Sequence, residues 1–209
     1  MQTWAVVVPA KRLALAKTRL RPVTEGLGRA GHDELVLALL ADTVAAAIAC
    51  PVVGSVLVVT DDPAAGGVVR KLGAHVVPDA PDRGLNPALE HGASVAGADA
   101  LAALSSDLPA LRPAELEAAL RAAESDTRCF VADAHGTGTT LLTALGAPLD
   151  PRFGVESAAA HRASGAEALA GHWPGLLRDV DTGADLEAAV TLGVGPWTSS
   201  FVRRLRAAR

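Results

Sequence analysis

Short apolar runs alternate with helical patterns along the first two thirds of the chain. Five apolar runs predict β-strands, at residues 4–8, 54–60, 74–78, 100–104 and 128–133. Between them, apolar positions predict helices at residues 32–49, 64–72 and 113–123. The run at residues 100–104 is small and apolar throughout, which is typical of a strand in a parallel sheet that is covered on both faces. This order predicts an α/β fold in which right-handed crossovers join mostly parallel strands.

The last third of the chain continues the pattern less regularly. A turn rich in Gly and Thr leads into a strand-like run at residues 139–143, and a helix that contains His161 follows. Residues 177–181 are predicted to close the sheet, and Asp181 or Thr182 is predicted to be the N-cap of the helix that comes next.

Composition limits the classes of protein to which this chain can belong. A chain of 209 residues that is 50% hydrophobic can bury a full core, so residues 1–209 are predicted to form a single domain. The formal net charge of −4 argues against a nucleic-acid binder, whose affinity comes mainly from neutralised phosphates. Cys50 and Cys129 lack the spacing of a zinc or disulfide motif. The N-terminal apolar run is too short for a signal peptide or a membrane span, so we expect a cytoplasmic protein without a membrane partner.

Asp107 follows the apolar run 100–104, and Pro109 prevents the strand from continuing. Ligands of open α/β sheets bind outside the carboxyl ends of the strands, so a carboxylate at this turn is well placed to hold a metal ion or a ribose. The alternative is that Asp107 caps the next helix or closes a turn, which is a common role for aspartate.

A cluster of basic residues comes directly after the first strand. Five Lys and Arg side chains fall within residues 11–21, among them Lys11, Lys17 and Arg19. A solvated helical face would also explain their spacing. Because the cluster is expected at the same sheet edge as Asp107, it favours a cradle for a polyphosphate, in which lysines act as point charges and arginines as forks.

A further pair of carboxylates, Asp179 and Asp181, lies near the end of the chain. Together with Asp107 it indicates magnesium-dependent phosphoryl chemistry, because Mg²⁺ binds one or two protein carboxylates together with substrate phosphate oxygens. The chain has no Walker A sequence and no Gly-x-Ser-x-Gly elbow. Residues 26–31 fit Gly-x-Gly-x-x-Gly, but they do not follow a strand directly, which argues against the dinucleotide site of a dehydrogenase.

Two further positions are candidates for contact with a ligand. Asn86 is predicted to be a helix N-cap with Pro87 at the first helical position, and such a helix N-terminus would also suit a nucleotide. The turn before Thr139 offers backbone amides and hydroxyls that can bind an anion; a simple hairpin connection is the alternative.

Taken together and in this order, these motifs resemble those of a nucleotidyltransferase family of the GT-A type, the phosphoenolpyruvate or 2-phospho-L-lactate guanylyltransferases of coenzyme F-420 biosynthesis. The resemblance covers nearly the whole chain. Its most specific pieces are Pro-Ala-Lys-Arg-Leu from residue 9, Ala-Lys-Thr-Arg-Leu from residue 16, Gly-Leu-Asn from residue 84, Ser-Asp-Leu-Pro from residue 106, Phe-Gly-Val-Glu-Ser from residue 153 and Asp-Val-Asp-Thr from residue 179. The first loop is lysine-rich, whereas the wider superfamily uses a glycine-rich loop there. The resemblance implies a Rossmann-like three-layer fold with a mixed, mostly parallel central sheet.

The resemblance also implies a reaction and a set of site residues. GMP would pass from GTP to the phosphate of a small phosphorylated carboxylic acid, and pyrophosphate would leave. The charge on the triphosphate would be stabilised by Lys11, Lys17 and Arg19. Asp107 would be catalytic and would hold Mg²⁺ together with Asp179 or Asp181. Asn86 would lie beside the nucleotide, and the acceptor would be bound by Thr139, Gly154 and Ser157.

Several alternatives stay open at this point. The acceptor is phosphoenolpyruvate, 2-phospho-L-lactate or 3-phospho-D-glycerate. The abundance of Gly and Ala suggests a high-GC genome and favours phosphoenolpyruvate, through the association of the family with actinobacteria. A molybdenum-cofactor type of nucleotidyltransferase is a second candidate, although the missing glycine-rich loop counts against it. A non-catalytic nucleotide-binding module is a third, since fold alone does not establish chemistry. The oligomeric state is open, with a homodimer as one alternative.

Overall fold

The computed structural model describes residues 2–13, 16–79 and 83–207. Within these ranges, seven strands form one sheet in the order β3-β2-β1-β4-β6-β5-β7. The strands are β1 (Trp4–Pro9), β2 (Val53–Val59), β3 (His75–Val77), β4 (Ala100–Leu104), β5 (Arg128–Ala132), β6 (Thr139–Leu145) and β7 (Glu167–Ala168).

The strand pairings confirm a mixed, mostly parallel sheet. β1 pairs in parallel with β2 on one side and with β4 on the other, and β2 pairs in parallel with β3. β6 is antiparallel to both of its neighbours, β4 and β5. After β1, strands β2 and β3 are therefore added on one side of β1, and β4 is then added on the other side of β1. The point between β1 and β4 is where an open α/β sheet forms a crevice for ligands.

Helices cover both faces of the sheet. They are α1 (Gly28–Ile48), α2 (Pro63–Leu72), α3 (Leu85–Ala96), α4 (Pro113–Ala122), α5 (Ser157–Ala163), α6 (Pro174–Leu177), α7 (Gly183–Leu192) and α8 (Pro196–Ala207). One core packs α1, α2 and α4 against the sheet, and a second core packs α3 and α5 against its other face. A third cluster joins α1 to α7 and α8. The arrangement is the predicted three-layer α/β fold. No described helix has the length and apolar character needed to cross a membrane.

The structure differs from the predicted elements at three places. Residues 177–181 do not form a strand, because α6 ends at Leu177 and the chain then runs to α7. The edge of the sheet is instead β7, which has two exposed residues and therefore leaves no apolar run in the sequence. Helix α1 begins at Gly28 rather than at residue 32, because a 3-10 helix at Thr18–Leu27 leads directly into it.

Candidate functional site

A cleft of about 420 Å³ lies where β1 and β4 end. Its wall includes Pro9 at the end of β1 and Ser105 just after β4. Lys17 and Asp107 line it and form an ion pair with each other, and Phe153 from a later loop also lines it. The cleft therefore lies at the crevice that the strand order creates, next to the residues that the sequence singled out.

Lys17 joins two carboxylates at this cleft. Its ammonium group donates to the Asp107 carboxylate and, at 2.5 Å, to Asp181. Lys17 has a φ of 48°, in the left-handed region that a residue with a side chain seldom occupies. It precedes the first turn of the 3-10 helix, and its carbonyl accepts from the Leu20 amide at 2.9 Å. A backbone held in this conformation is typical of a functional site.

The backbone around Asp107 connects distant parts of the chain. The Leu108 amide donates to the Thr43 hydroxyl of α1 at 2.9 Å, and the Val180 amide donates to the Asp107 carbonyl at 3.1 Å. The second contact brings the Asp-x-Asp segment beside Asp107. Arg112 occupies the N-cap position of α4, so the interpretation of Asp107 as the cap of that helix is wrong.

Asp107, Asp179 and Asp181, here called the acidic cluster, carry more negative charge than Lys17 can balance. Burial raises the pKa of Asp179, the neighbouring Asp181 raises it further, and Lys17 opposes both effects. Asp107 is 7% exposed, whereas Asp181 is open to solvent. A site with this charge favours a cation.

The donor atoms of the acidic cluster suit a hard cation such as Mg²⁺. Carboxylate oxygens are the ligands that Mg²⁺ prefers, and it needs few of them because water and substrate phosphates complete its octahedron. Among the described residues, no group of three or more His, Cys, Asp or Glu side chains lies close enough to hold a metal by itself. The convergence of Asp107 and Asp181 on the Lys17 ammonium shows that two of the carboxylates can face a single cationic atom.

The basic segment after β1 lies along one side of the cleft. Lys11 and Arg19 line the cleft and are exposed to solvent. The segment is tied to α2 by Asp62, whose carboxylate accepts from the Leu13 amide at 3.0 Å while it also caps the helix. Burial acts to raise the pKa of Asp62, but its amide hydrogen bonds outweigh burial and lower that pKa overall. The cradle interpretation thus agrees with where the segment lies.

Thr139, Ser157 and His161, here called the hydroxyl cluster, form a buried hydrogen-bonded group. The Ser157 hydroxyl donates to Thr139 Oγ1 at 3.2 Å, and His161 Nδ1 lies 2.9 Å from the same oxygen. The Arg152 amide donates to His161 Nε2 at 2.9 Å. Burial, and to a lesser extent the charge of Arg128, lower the pKa of His161 to about 4. Nothing in the sequence singles out His161, because a single histidine in a short helix has no distinctive spacing.

The loop that carries Gly154 is held in an unusual backbone conformation. Gly154 has a φ of 139°, and Asp150 and Glu156 also have positive φ values, of 45° and 54°. The Asn86 side chain holds the middle of this loop, since it donates to the Phe153 carbonyl at 3.1 Å and accepts from the Phe153 amide at 2.8 Å. The loop is therefore fixed from the α3 side.

The prediction that Asn86 is a helix N-cap is wrong. Helix α3 begins at Leu85, Gly84 occupies its cap position, and no side chain caps it. The amide of Asn86 is engaged by backbone groups 67 positions further along the chain, a partner that local sequence could not indicate. Its predicted contact with the nucleotide stays a prediction.

Ser105 connects the acidic cluster with the hydroxyl cluster. It lines the cleft, its amide donates to the Thr140 carbonyl at 2.9 Å, and its hydroxyl donates to the Thr139 carbonyl at 3.4 Å. The structure therefore brings the predicted residues to one edge of the sheet in two groups. Lys17, Asp107 and Asp181 line the cleft, and Asp179 lies next to Asp181. Thr139 and Ser157 lie beside the cleft with little exposed surface.

Comparisons with known proteins bear on the fold and on the family of this chain. Solved structures share the fold at low sequence identity. A crystal structure of a protein from Desulfovibrio desulfuricans G20 has a TM-score of 0.74 at 17% identity and covers 99% of this chain and 96% of that one. A nucleotidyl transferase from Methanothermobacter has a TM-score of 0.62 at 21% identity, with 98% and 100% coverage.

Closer relatives are found among proteins of similar length. A phosphoenolpyruvate guanylyltransferase of Geodermatophilus obscurus is 66% identical over 204 residues, which cover 97% of this chain and 95% of the relative. One from Streptomyces coelicolor is 52% identical over 208 residues, with 97% of each chain covered. Residues 4–208 match the family described as "Guanylyl transferase CofC like". The chain belongs to this CofC-like guanylyl transferase family.

Proposed function

We propose that this protein is a magnesium-dependent guanylyltransferase that transfers GMP from GTP to the phosphate of phosphoenolpyruvate. The products are enolpyruvoyl-2-diphospho-5′-guanosine and pyrophosphate. The observation that carries the proposal is the 66% identity, over 97% of the chain, to a phosphoenolpyruvate guanylyltransferase. The cleft where Lys17 meets the acidic cluster is chemically suited to this reaction.

The transfer needs no nucleophile from the protein. A phosphate oxygen of the acceptor attacks the α-phosphorus of GTP, a new P–O bond forms, and the bond to the β-phosphate oxygen breaks. Both reactants are anionic, so the protein must hold them together and offset their repulsion. In this proposal Lys11, Lys17 and Arg19 offset the charge of the triphosphate, and Asp107 lies beside the reacting groups.

The proposed metal would be held by Asp107 and by Asp179 or Asp181. When bound, Mg²⁺ would neutralise charge on the phosphates and act as a Lewis acid toward them. The raised pKa of Asp179 reflects burial and repulsion from Asp181, and a bound cation would offset both effects because it favours the ionised carboxylate.

The proposed acceptor subsite is formed by Thr139, Gly154 and Ser157. The two hydroxyls are neutral donors, and the loop around Gly154 is fixed by Asn86 and by the conformation of its backbone. Neutral donors suit a small anion whose charge is balanced elsewhere in the site. Asn86 is proposed to lie near the nucleotide as well as to hold this loop.

Pyrophosphate release tests the proposal directly. GTP and Mg²⁺ are supplied with phosphoenolpyruvate, 2-phospho-L-lactate or 3-phospho-D-glycerate in separate reactions, and the product mass is read in the same samples. We expect a guanylylated product with phosphoenolpyruvate and its loss when the metal is chelated. A product with only one of the other two acceptors would assign the enzyme to a different branch of the family. No pyrophosphate with any acceptor, from a folded protein that binds GTP, would leave a non-catalytic nucleotide-binding module.

A further inference from the structure

His161 has a neutral ring with a polar partner at each of its two nitrogens, and the Ser157 carbonyl is also within reach of the ring. It is completely buried, and the Arg152 amide donates to its Nε2 at 2.9 Å. An amide N–H can donate only to a ring nitrogen that carries no proton, so the proton of the neutral ring must be on Nδ1. The pKa of about 4 keeps the ring neutral throughout the neutral pH range.

The protonated Nδ1 then sets the direction of its hydrogen bond to Thr139. Nδ1 lies 2.9 Å from Thr139 Oγ1, so the ring donates and the hydroxyl oxygen accepts. Thr139 therefore cannot give its own proton to His161. If Nδ1 carried no proton, the Thr139 hydroxyl would donate to it, and the direction of this hydrogen bond would be the opposite.

A count of protons shows what remains available for a ligand. Thr139 and Ser157 have two hydroxyl protons, and one of them is used in the 3.2 Å hydrogen bond between the two side chains. Since His161 supplies a proton to the pair rather than taking one, the second hydroxyl proton is left over. Among the described contacts, no acceptor for it is found. A ligand acceptor next to the pair would complete the hydrogen bonding.

We infer that His161 is a positioning residue that makes the Thr139–Ser157 pair a one-proton donor to an anionic oxygen of the acceptor. The inference deepens the proposed function and rests on it, because it names what sets the hydrogen-bonding direction of the proposed acceptor subsite. The same ring also ties the subsite to its loop, through the Arg152 amide beside Phe153 at the cleft. His161 does not touch the acceptor; it acts through Thr139.

Two substitutions separate the functions of the two ring nitrogens. In His161→Asn, the side-chain amide reaches the place of Nδ1 and can still donate to Thr139, but the acceptor for Arg152 is lost. In His161→Gln, the amide reaches the place of Nε2 and can still accept from Arg152, but the donor to Thr139 is lost. Each variant loses one buried hydrogen bond, so a purely structural function would affect both variants alike. His75→Gln on the exposed edge strand β3 is the control.

Steady-state kinetics with phosphoenolpyruvate and GTP give the first readout. We expect His161→Gln to raise the KM for phosphoenolpyruvate about tenfold with little change in the KM for GTP, and His161→Asn to stay within about threefold of the wild type. Equal rises in the two variants, or a rise in the KM for GTP instead, would overturn the inference.

The ring tautomer gives a second readout that depends neither on the variants nor on turnover. Nitrogen NMR of the histidine-labelled wild-type protein should show His161 with its proton on Nδ1 across the neutral pH range. A proton on Nε2, or a charged ring, would overturn the inference. Absence of any guanylylated product from the wild-type protein would instead contradict the proposed function, and the tautomer would still decide whether this proton arrangement exists.

Discussion

The acidic cluster and the hydroxyl cluster lie at the same edge of the sheet but handle charge in opposite ways. Around Lys17, carboxylates that repel each other are held together, and Asp181 is open to solvent. In the hydroxyl cluster, the three side chains are neutral and buried, and His161 and Ser157 both donate to Thr139 Oγ1. The first arrangement favours cations and suits a reaction in which negative charge must be offset. The hydroxyl cluster suits recognition of a ligand by its shape and by one oxygen atom that accepts a hydrogen bond. We therefore expect the two clusters to affect different kinetic constants.

Asp107→Asn should have the largest effect. It removes a charge from the acidic cluster while keeping the shape of the side chain, so kcat should fall on the order of 100-fold with acceptor KM little changed. The measurement is pyrophosphate release at saturating substrates and Mg²⁺. The matched control is Asp126→Asn, which lies at an exposed bend outside the cleft lining and should leave kcat unchanged. Retention of wild-type turnover by Asp107→Asn would remove Asp107 from the reaction.

Ser157→Ala should affect the other constant. The change breaks the Thr139–Ser157 pair that presents a proton to the acceptor, so the KM for phosphoenolpyruvate should rise roughly tenfold, with kcat and the KM for GTP near their wild-type values. Ser94→Ala, at an exposed position of α3, serves as the control. If the KM for GTP rose instead, the nucleotide and acceptor subsites would have to be exchanged.

Asn86→Leu tests whether Asn86 acts mainly on the acceptor subsite or on the nucleotide. The change removes both hydrogen bonds that hold Phe153, so the acceptor loop should loosen and the KM for phosphoenolpyruvate should rise about fivefold. Initial rates at varied concentrations of each substrate measure this, with Glu90→Gln on the exposed side of α3 for comparison. A larger rise for GTP than for phosphoenolpyruvate would mean that the contact with the nucleotide is the main function of Asn86.

Asp179→Asn should reveal the cost in stability of the acidic cluster. The folded-state pKa of Asp179 lies above the ordinary value of 3.8, so ionisation of this carboxyl destabilises the fold at neutral pH. That cost disappears as the pH falls through the raised pKa toward 3.8, where the carboxyl is protonated. With the metal chelated, the variant should therefore melt about 2 °C higher than the wild type at neutral pH, and the difference should shrink in acid. Thermal melts across this pH range would contradict the account if the variant were the less stable at neutral pH.

The sequence predicted the position of the acidic cluster and the basic segment better than it predicted the contacts of the hydroxyl cluster. Asp107 and the basic segment follow strands directly, so the parallel sheet alone brings them to one edge. Asp179 and Asp181 were predicted through their motif, although the strand expected there is absent. The function of His161 and the hold of Asn86 on Phe153 depend on contacts between α5, β6 and a loop of irregular backbone. Local sequence does not encode such contacts, because they are set by how distant segments pack.

Helix boundaries show the same limit. The sequence predicted Thr182 as one of two candidate caps, and the structure confirms it, because a capping box is a local pattern that involves Asp185. The start of α1 was placed four residues late, since the 3-10 helix before it has no apolar periodicity to reveal it. β7 is recognisable only through its pairing with β5.

The central claim is that a phosphate oxygen of phosphoenolpyruvate attacks the α-phosphorus of GTP in this cleft. The most direct test supplies GTP, Mg²⁺ and phosphoenolpyruvate whose phosphate oxygens carry a heavy isotope, and reads the masses of both products. The account predicts that the guanylylated product retains all of the label and that the pyrophosphate contains none. Label in the pyrophosphate, or GDP in place of pyrophosphate, would contradict it.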